Sequence, residues 1–230
     1  MLQGKCVVLG VTGGIAVYKA VELLRLMVKA GADVHVIMTR SAQEFVTPLT
    51  FQTLSGNPVH TELFSLIQEQ DIGHISLADR ADLFLIAPAT ANIIGKVAHG
   101  IADDLLSTTV MATRAKVLFV PAMNTNMWEN PLYRQNQGHL EELGYHFLEP
   151  VYGDLACGWQ GQGKMPDPQV VFNAAHPLLE NVVNQILARF IAGQCGQGRG
   201  HQPIFDLIRR QVGIGLQHQS HYAGNNWTGK

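Results

Sequence analysis

The chain has little charge and no concentration of it. Only 15% of its 230 residues are Asp, Glu, Lys or Arg, and the formal net charge is −2. The basic residues are scattered, which excludes the electrostatic surface that nucleic-acid binding requires. Apolar residues make up 47% of the chain. We therefore expect much of the surface to be covered, most simply by further copies of the chain.

Long hydrophobic runs and paired cysteines are also missing. No apolar stretch approaches the ~20 residues of a membrane span, and the N-terminus does not resemble a signal peptide. We therefore expect a cytoplasmic protein without a membrane partner. Cys6, Cys157 and Cys195 are odd in number and far apart. This spacing argues against a disulfide framework and against a zinc site with paired ligands, so no metal is predicted.

Strands and helices alternate over most of the chain. Apolar runs predict strands at 5–10, 34–38, 83–87, 117–120 and 145–148, and helical spacing predicts helices near 15–30, 48–54, 92–98, 103–113, 133–143 and 178–191. Strands rich in Val, Ile, Leu and Phe are typical of a parallel sheet covered on both faces. The predicted fold class is α/β, with a doubly wound, Rossmann-like parallel sheet, whose ligands bind beyond the carboxyl ends of the strands.

The composition changes near residue 190. Residues 193–203 are rich in Gly and Gln, as linkers are, and the remainder to Lys230 has little periodicity. We predict one domain over residues 1–190 and a linker-like, poorly ordered tail over 191–230.

A glycine turn separates the first strand from the first helix. Residues 10–16 read Gly-Val-Thr-Gly-Gly-Ile-Ala, a pattern that lets a ligand approach the backbone and places a phosphate at a helix N-terminus. The second strand ends in Thr39, Arg40 and Ser41, without the acidic residue of a nicotinamide-binding unit. The hydroxyls favour flavin mononucleotide (FMN), whereas Arg40 leaves open a dinucleotide with a 2′-phosphate. A tight turn without any ligand is the remaining alternative.

Two further strand ends carry hydroxyl and amide side chains. Thr90, Ala91 and Asn92 follow the third strand, either as ligand contacts or simply as the start of a helix. The fourth strand leads into Pro-Ala-Met-Asn-Thr-Asn-Met-Trp at 121–128. Asn124 then lies at a strand end between sulfur and aromatic side chains, where an uncharged amide can bind a carboxylate.

A histidine and a glycine-rich segment complete the set of candidates. His74 follows Gly73 in a predicted loop before a short amphipathic turn, and its imidazole suits proton transfer near neutral pH. The alternative is an ordinary surface or core histidine. Residues 153–165 are predicted to form a long loop without regular structure, which carries Cys157 and Lys164. We interpret it as a mobile flap with a catalytic cysteine, and the alternative is a flexible loop with an incidental thiol.

Taken together and in this order, these segments resemble the homo-oligomeric flavin-containing cysteine decarboxylases, and within them the phosphopantothenoylcysteine decarboxylases of coenzyme A synthesis. The resemblance covers about residues 4–190 and rests on the segment 121–128 together with Ala-Cys-Gly-x-x-Gly-x-Gly-Lys-Met at 156–165. The family usually has Arg before the last Met. Lys164 keeps the charge there but cannot make a bidentate contact.

The resemblance implies FMN at an interface between subunits of a homotrimer or dodecamer. By position, FMN would contact Gly13, Gly14, Ile15, Thr39, Ser41, Thr90, Ala91, Asn92, Ile93 and Ala122. The substrate, 4′-phosphopantothenoylcysteine, would contact Asn124, Met127, Ala156, Lys164 and Met165.

The implied reaction yields 4′-phosphopantetheine. The cysteine end of the substrate is oxidised to a thioaldehyde, which accepts the electrons left by CO₂ as an ene-thiolate, and the two electrons borrowed by FMN are then returned. His74 would be the base, Asn124 would bind the carboxylate and Cys157 would supply the last proton. The alternatives are a peptidyl-cysteine decarboxylase that stops at the ene-thiol, a prenyltransferase with a similar flavin sheet, and a non-catalytic regulatory subunit.

In many bacteria this decarboxylase continues into a synthetase that joins cysteine to phosphopantothenate, so the chain resembles the N-terminal part of a bifunctional protein. Residues 191–230 are too few for a synthetase domain. With permitted codons, residues 206–216 read one nucleotide later give Ile-Ser-Ser-Gly-Gly-Lys, which is similar to the synthetase's signature. We hypothesise that the tail is a truncated or out-of-frame remnant and that a separate synthetase is a candidate partner.

Overall fold

Six parallel strands form the central sheet of the computed structural model, which describes residues 2–63 and 73–179. In spatial order the strands are β3 (Val59–His60), β2 (Asp33–Met38), β1 (Cys6–Val11), β4 (Leu83–Ala89), β5 (Lys116–Pro121) and β6 (His146–Phe147). After β1 the next two strands, β2 and β3, are added on one side of it, and β4, β5 and β6 are added on the other side. A ligand crevice is expected where these two directions meet. The prediction of a doubly wound parallel sheet is confirmed.

Helices cover both faces of the sheet. They are α1 (Val17–Lys29), α2 (Arg40–Gln43), α3 (Pro48–Ser55), α4 (Gly73–Arg80), α5 (Ala91–Ala98), α6 (Leu105–Ala112), α7 (Thr125–Trp128), α8 (Pro131–Glu142) and α9 (Pro168–Leu179). Alternate residues of β1 serve two cores: Val7 and Leu9 pack with α1, α3 and α9, and Val8 packs with α4, α5, α6 and α8. None of the helices within the described ranges is long and apolar enough to cross a membrane.

Two predicted elements are wrong in their bounds or type. The last predicted helix, 178–191, begins ten residues too late, because α9 starts at Pro168. The rest of that helix, residues 180–191, lies outside the described ranges. The predicted boundary near 190, the tail and Cys195 lie outside them as well. His74 lies in the first turn of α4, where a loop was predicted.

The glycine-rich segment is also not a loop throughout. It forms an antiparallel hairpin of β7 (Val151–Asp154) and β8 (Gln160–Lys164). The glycines are needed because β8 lies too close to its neighbours for side chains. A Cβ atom at Gly161 would collide with the Thr125 side chain, and one at Gly163 would collide with the Met123 carbonyl. Glycine here permits a strand to lie against another backbone, whereas composition alone suggested irregular structure.

A capping box fixes the start of α6. The Asp104 carboxylate accepts a hydrogen bond from the Ser107 backbone N–H at 2.8 Å, and the Ser107 hydroxyl accepts one from the Asp104 N–H at 3.2 Å. The Lys96 ammonium lies 2.8 Å from the same carboxylate. Burial acts to raise the pKa of Asp104, but the hydrogen bonds from Lys96 and Ser107 outweigh it and hold the pKa below its ordinary value.

We predict that Asp104→Ala lowers the free energy of unfolding by about 1 kcal/mol at neutral pH, because the helix loses its N-cap. Since the folded-state pKa is the lower one, this contribution is present above the unfolded-state pKa of about 3.9 and is lost as pH falls through the folded-state value. Urea unfolding at neutral and acidic pH measures both effects. Asp103→Ala is the matched control, because Asp103 also contacts Lys96 but does not cap the helix. Equal losses in the two variants would contradict the capping assignment.

Candidate active site

A cavity of about 590 Å³ lies beyond the carboxyl ends of β1, β4 and β5. Its size is typical of sites for small organic ligands. Three strand ends, the first turn of α1 and the hairpin form its walls. The lining residues are Gly13, Gly14, Ile15, Ala16, Tyr18, Lys19, Thr90, Ala91, Ala122, Met123, Asn124, Met127, Asp154, Leu155, Ala156, Cys157, Gly163, Lys164 and Met165.

The Thr12 hydroxyl joins two of these walls. It is buried, donates a hydrogen bond to the Pro88 carbonyl at 2.7 Å and accepts one from the Thr90 N–H at 3.1 Å. The turn after β1 is thereby held beside the turn after β4. Gly13 is pressed against Ser41, since a Cβ atom at Gly13 would collide with that residue. This geometry brings three predicted binding segments to one edge of the sheet.

Two helix N-termini at the cavity have no side-chain cap. The N-cap residues of α1 and α5 are Ala16 and Thr90, and neither side chain accepts a hydrogen bond from its helix. By contrast, the N-cap side chains of α6, α7 and α8 do accept such bonds. The first turns of α1 and α5 also contain no acidic residue. Helix N-termini without side-chain caps, and the positive ends of the helix dipoles, favour a phosphate group here.

Asn124 presents an oriented amide to the cavity. It is the N-cap of α7, and its Oδ1 atom accepts a hydrogen bond from the Asn126 N–H at 2.8 Å. The oxygen is therefore engaged with the backbone, and the Nδ2 donor is the group available to a ligand. The buried Trp128 anchors this short helix, with its ring 5.2 Å from that of Tyr133 and 3.8 Å from the Arg134 guanidinium carbon.

The hairpin brings a thiol to this amide. Cys157 lies in the turn between β7 and β8, which is closed by hydrogen bonds from Leu155 N–H to the Trp159 carbonyl and from Gly158 N–H to the Leu155 carbonyl. The Asn124 Nδ2 atom donates a hydrogen bond to the Cys157 Sγ atom at 3.2 Å. Two candidate catalytic residues from separate segments are thus in direct contact.

Lys19 is a site residue that sequence reasoning missed. Its ammonium group is buried and donates hydrogen bonds to the carbonyls of Met165 and Pro166 at 2.7 and 3.4 Å, and to the Asp167 carboxylate at 3.3 Å. A buried ammonium is costly unless it is paired in this way. Lys19 therefore ties α1 to the end of the hairpin. The signal in the sequence was a single charge inside the apolar stretch 15–21.

Most of the predicted contact residues line the cavity, and the others do not. The lining includes Gly13, Gly14, Ile15, Thr90, Ala91, Ala122, Asn124, Met127, Ala156, Cys157, Lys164 and Met165. Thr39, Ser41, Asn92 and Ile93 are outside it. Thr39 caps α2, and the Ile93 side chain is buried in the core, so that only its backbone is available to a ligand. The side chain of His74 lies outside the described residues.

A family model described as Flavoprotein matches residues 1–179. The chain belongs to the Flavoprotein family. The match supports a flavin cofactor, as the glycine turn and the hydroxyls predicted. The residues present fit a flavin with a phosphate group, because two helix N-termini without side-chain caps lie at the same cavity as Ile15 and Met127.

Proteins of coenzyme A synthesis are among this flavoprotein's relatives. The chain is 50% identical over 175 residues to the "Coenzyme A biosynthesis bifunctional protein CoaBC" of Bacillus subtilis, which covers 76% of this chain and 43% of that protein. It is 44% identical over 165 residues to a "Probable phosphopantothenoylcysteine decarboxylase" of Streptococcus mutans. The match covers 71% of this chain and 92% of that protein. The chain thus spans less than half the length of its bifunctional relatives.

Solved structures of similar fold include enzymes and an FMN binding protein. A mutant PPC decarboxylase complexed with pantothenoylaminoethenethiol is 29% identical, with a TM-score of 0.68 over 77% of this chain and 99% of the other. "The FMN binding protein AtHal3" is 30% identical, with a TM-score of 0.65 over 76% and 96%. These likenesses agree with the Rossmann-like flavoprotein fold.

We predict that Gly163→Ala separates the hairpin from the end of β5, because its Cβ atom would collide with the Met123 carbonyl. Flavin retention after gel filtration and catalytic turnover should both fall by about 10-fold or more, since small misplacements at a site are costly. Gly153→Ala is the matched control in the same hairpin, where a Cβ atom would meet only the flexible Lys164 side chain at 3.4 Å. Normal flavin retention and turnover in Gly163→Ala would show that this close approach is dispensable.

Proposed function

We propose that this chain is an FMN-dependent decarboxylase that converts 4′-phosphopantothenoylcysteine into 4′-phosphopantetheine and CO₂. The observation that carries the proposal is the 3.2 Å contact of the Asn124 amide with the Cys157 thiol inside the cavity. A carboxylate-binding donor and a proton donor are thereby adjacent. The names of the relatives in coenzyme A synthesis support this substrate over others. The cytoplasmic location expected from the sequence stays a prediction.

The turns at the carboxyl ends of β1, β4 and β5 would hold the cofactor. The uncapped N–H groups of α1 and α5 suit its phosphate group, and Ile15 and Ala122 supply apolar contacts. Bound FMN supplies a temporary acceptor for two electrons from the cysteine-derived end of the substrate. Four predicted contacts are outside the lining of the cavity in the single chain: Thr39, Ser41, Asn92 and Ile93. Their contact with the cofactor stays a prediction.

Asn124 would bind and orient the carboxylate that leaves. Its Oδ1 atom is held by the Asn126 N–H at 2.8 Å, so the Nδ2 group is directed to the ligand. A neutral donor binds the carboxylate without a strong ion pair. An ion pair would stabilise the negative charge on the carboxylate, which must move to the sulfur end of the substrate when neutral CO₂ leaves. Movement of the negative charge away from the carboxylate is therefore not opposed by a fixed positive charge at this position.

Cys157 would supply the proton that completes the saturated product. It lies on a hairpin turn at the cavity wall, and its thiol already accepts a hydrogen bond from the amide that binds the carboxylate. Lys164, Ala156, Met165 and Met127 would contact the rest of the substrate, with Lys164 as the available cation. His74 stays the predicted base for the first proton transfer.

We further propose that other copies of the chain cover the mouth of the cavity, as a homotrimer or a multiple of it. Ile15, Tyr18 and Met127 line the cavity and are nevertheless 58%, 54% and 47% exposed. Large apolar side chains at this level of exposure beside a binding cavity are typical of a surface that meets another protein. A separate synthetase chain stays a candidate partner.

The purified chain should be yellow and should release CO₂ from phosphopantothenoylcysteine with formation of the saturated thiol. In Cys157→Ser, CO₂ release should continue while the saturated product is replaced by an ene-thiol with two fewer hydrogens. Absorbance measures the flavin, and mass spectrometry separates the two products. Normal formation of the saturated thiol by Cys157→Ser would remove its assignment as proton donor. If the wild-type chain decarboxylates only peptides, it is a peptidyl-cysteine decarboxylase. If it decarboxylates neither substrate, it is a regulatory subunit.

We predict that Asn124→Asp lowers turnover by about 10²-fold or more, because a donor is replaced by a negative charge beside the substrate carboxylate. The fold should be preserved, since Asp caps a helix as well as Asn. Asn130→Asp is the matched control: Asn130 caps α8 with a hydrogen bond from the Leu132 N–H at 2.9 Å and is outside the cavity lining. Steady-state kinetics with both variants measure the effect. Similar rates in the two variants would exclude Asn124 as the carboxylate ligand.

A further inference from the structure

A second polar cluster lies at the amino edge of the sheet, opposite to the cavity. Cys6 is the first residue of β1 and Asp33 the first of β2, and these two residues are partners in the register of the parallel pair. His35 follows Asp33 by two residues. Because side chains alternate along a strand and paired residues share a face, all three side chains lie on one face of the sheet.

The donor atoms of these residues converge. The Cys6 Sγ atom, a carboxylate oxygen of Asp33 and a ring nitrogen of His35 all lie within 4.8 Å of one another. The Asp33 Oδ2 and His35 Nε2 atoms are 3.1 Å apart. Sulfur, imidazole and carboxylate together form a ligand set that Zn²⁺ accepts, and bond lengths of about 2.0–2.3 Å place such ligands roughly 3.5 Å from one another. Small side-chain rotations would therefore close the site around an ion.

The surroundings hold two of the three ligands in place. The His35 side chain is buried, and Cys6 is half-buried. The Asn57 Nδ2 atom donates hydrogen bonds to the Asp33 Oδ1 atom at 2.8 Å and to the Val34 carbonyl at 2.9 Å. The second carboxylate oxygen is thereby turned toward His35. Hydrogen bonds that orient a ligand in this way are a regular part of metal sites.

The His35 Nε2 atom lies between the Asp33 carboxylate and the Arg80 guanidinium. It is 3.1 Å from the Asp33 Oδ2 atom and 3.2 Å from the Arg80 Nη2 atom, and Arg80 Nη2 also donates to Asp33 Oδ2 at 3.4 Å. Arg80 therefore occupies the position beside the nitrogen and the carboxylate that a bound cation would take. The Arg80 side chain is 54% exposed at the end of α4 and can turn into solvent. A cation between the nitrogen and the carboxylate would satisfy both as acceptors.

We propose that Cys6, Asp33 and His35 bind one Zn²⁺ ion, with water at the fourth position, and that the ion joins the amino ends of β1 and β2. The site is independent of the flavin cavity. The bound thiol loses its proton to solvent, and no other bond changes. Spacing along the chain did not indicate this site, because only the strand register brings Cys6 beside Asp33.

The test is Zn²⁺ binding to the full-length, flavin-loaded chain. Titration against a competing chelator should give one tight equivalent, and X-ray absorption at the zinc edge should show one sulfur at about 2.3 Å with nitrogen or oxygen at about 2.0 Å. Cys6→Ser should lose the sulfur signal, and His35→Gln should bind at least about 10-fold more weakly. Cys157→Ser is the matched thiol control and should keep the sulfur signal.

Arg80→Ala separates the proposal from an ordinary ion-pair network. We expect it to bind Zn²⁺ more tightly than the wild type, because the guanidinium that competes for Asp33 and His35 is removed. Weaker binding by Arg80→Ala, a zinc spectrum without sulfur, or the same zinc content in wild type, Cys6→Ser and His35→Gln would each overturn the proposal. The last result would identify adventitious binding.

Discussion

The close approach of β8 to the chain after β5 is the contact on which the candidate site depends. The Met123 N–H donates a hydrogen bond to the Gly163 carbonyl at 3.0 Å, and there is no room for a side chain at Gly163. This contact positions the hairpin, whose turn then reaches Asn124. The close packing of Gly161 against Thr125 holds the same strand to α7. The thiol and the amide meet because the backbone of Gly163 touches that of Met123, the residue before Asn124.

Buried polar contacts assemble the remaining walls. Thr12 joins the turns after β1 and β4, and Lys19 joins α1 to the stretch that follows the hairpin. Both side chains are buried and hydrogen-bonded to backbone groups, and Lys19 also contacts the Asp167 carboxylate. Removing one partner from such a contact leaves a buried polar group unsatisfied, which is costly. These two residues hold the walls of the cavity together.

The sequence predicted those parts of the molecule that depend on local pattern. The parallel sheet follows from apolar runs such as Leu83–Ala89, and Asn124 was identified because a strand leads directly into it. Cys157 was found by composition, but its segment was wrongly predicted to be irregular, because the partner of Gly163 is 40 residues away in sequence at Met123. Lys19 was missed for the same reason. Contacts between distant segments leave no periodic signal.

The two edges of the sheet differ in the charge that they favour. In a parallel sheet with crossover helices, helices begin at the carboxyl edge and end at the amino edge, so their dipoles favour anions at the first and cations at the second. At the carboxyl edge α1 and α5 begin without side-chain caps and without acidic residues in their first turns. At the amino edge α1 and α4 end with Lys29 and Arg80, and Asp33 and His35 lie there as well. The phosphate site and the zinc site proposed above thus agree with the charges that the same strand direction favours at the two edges.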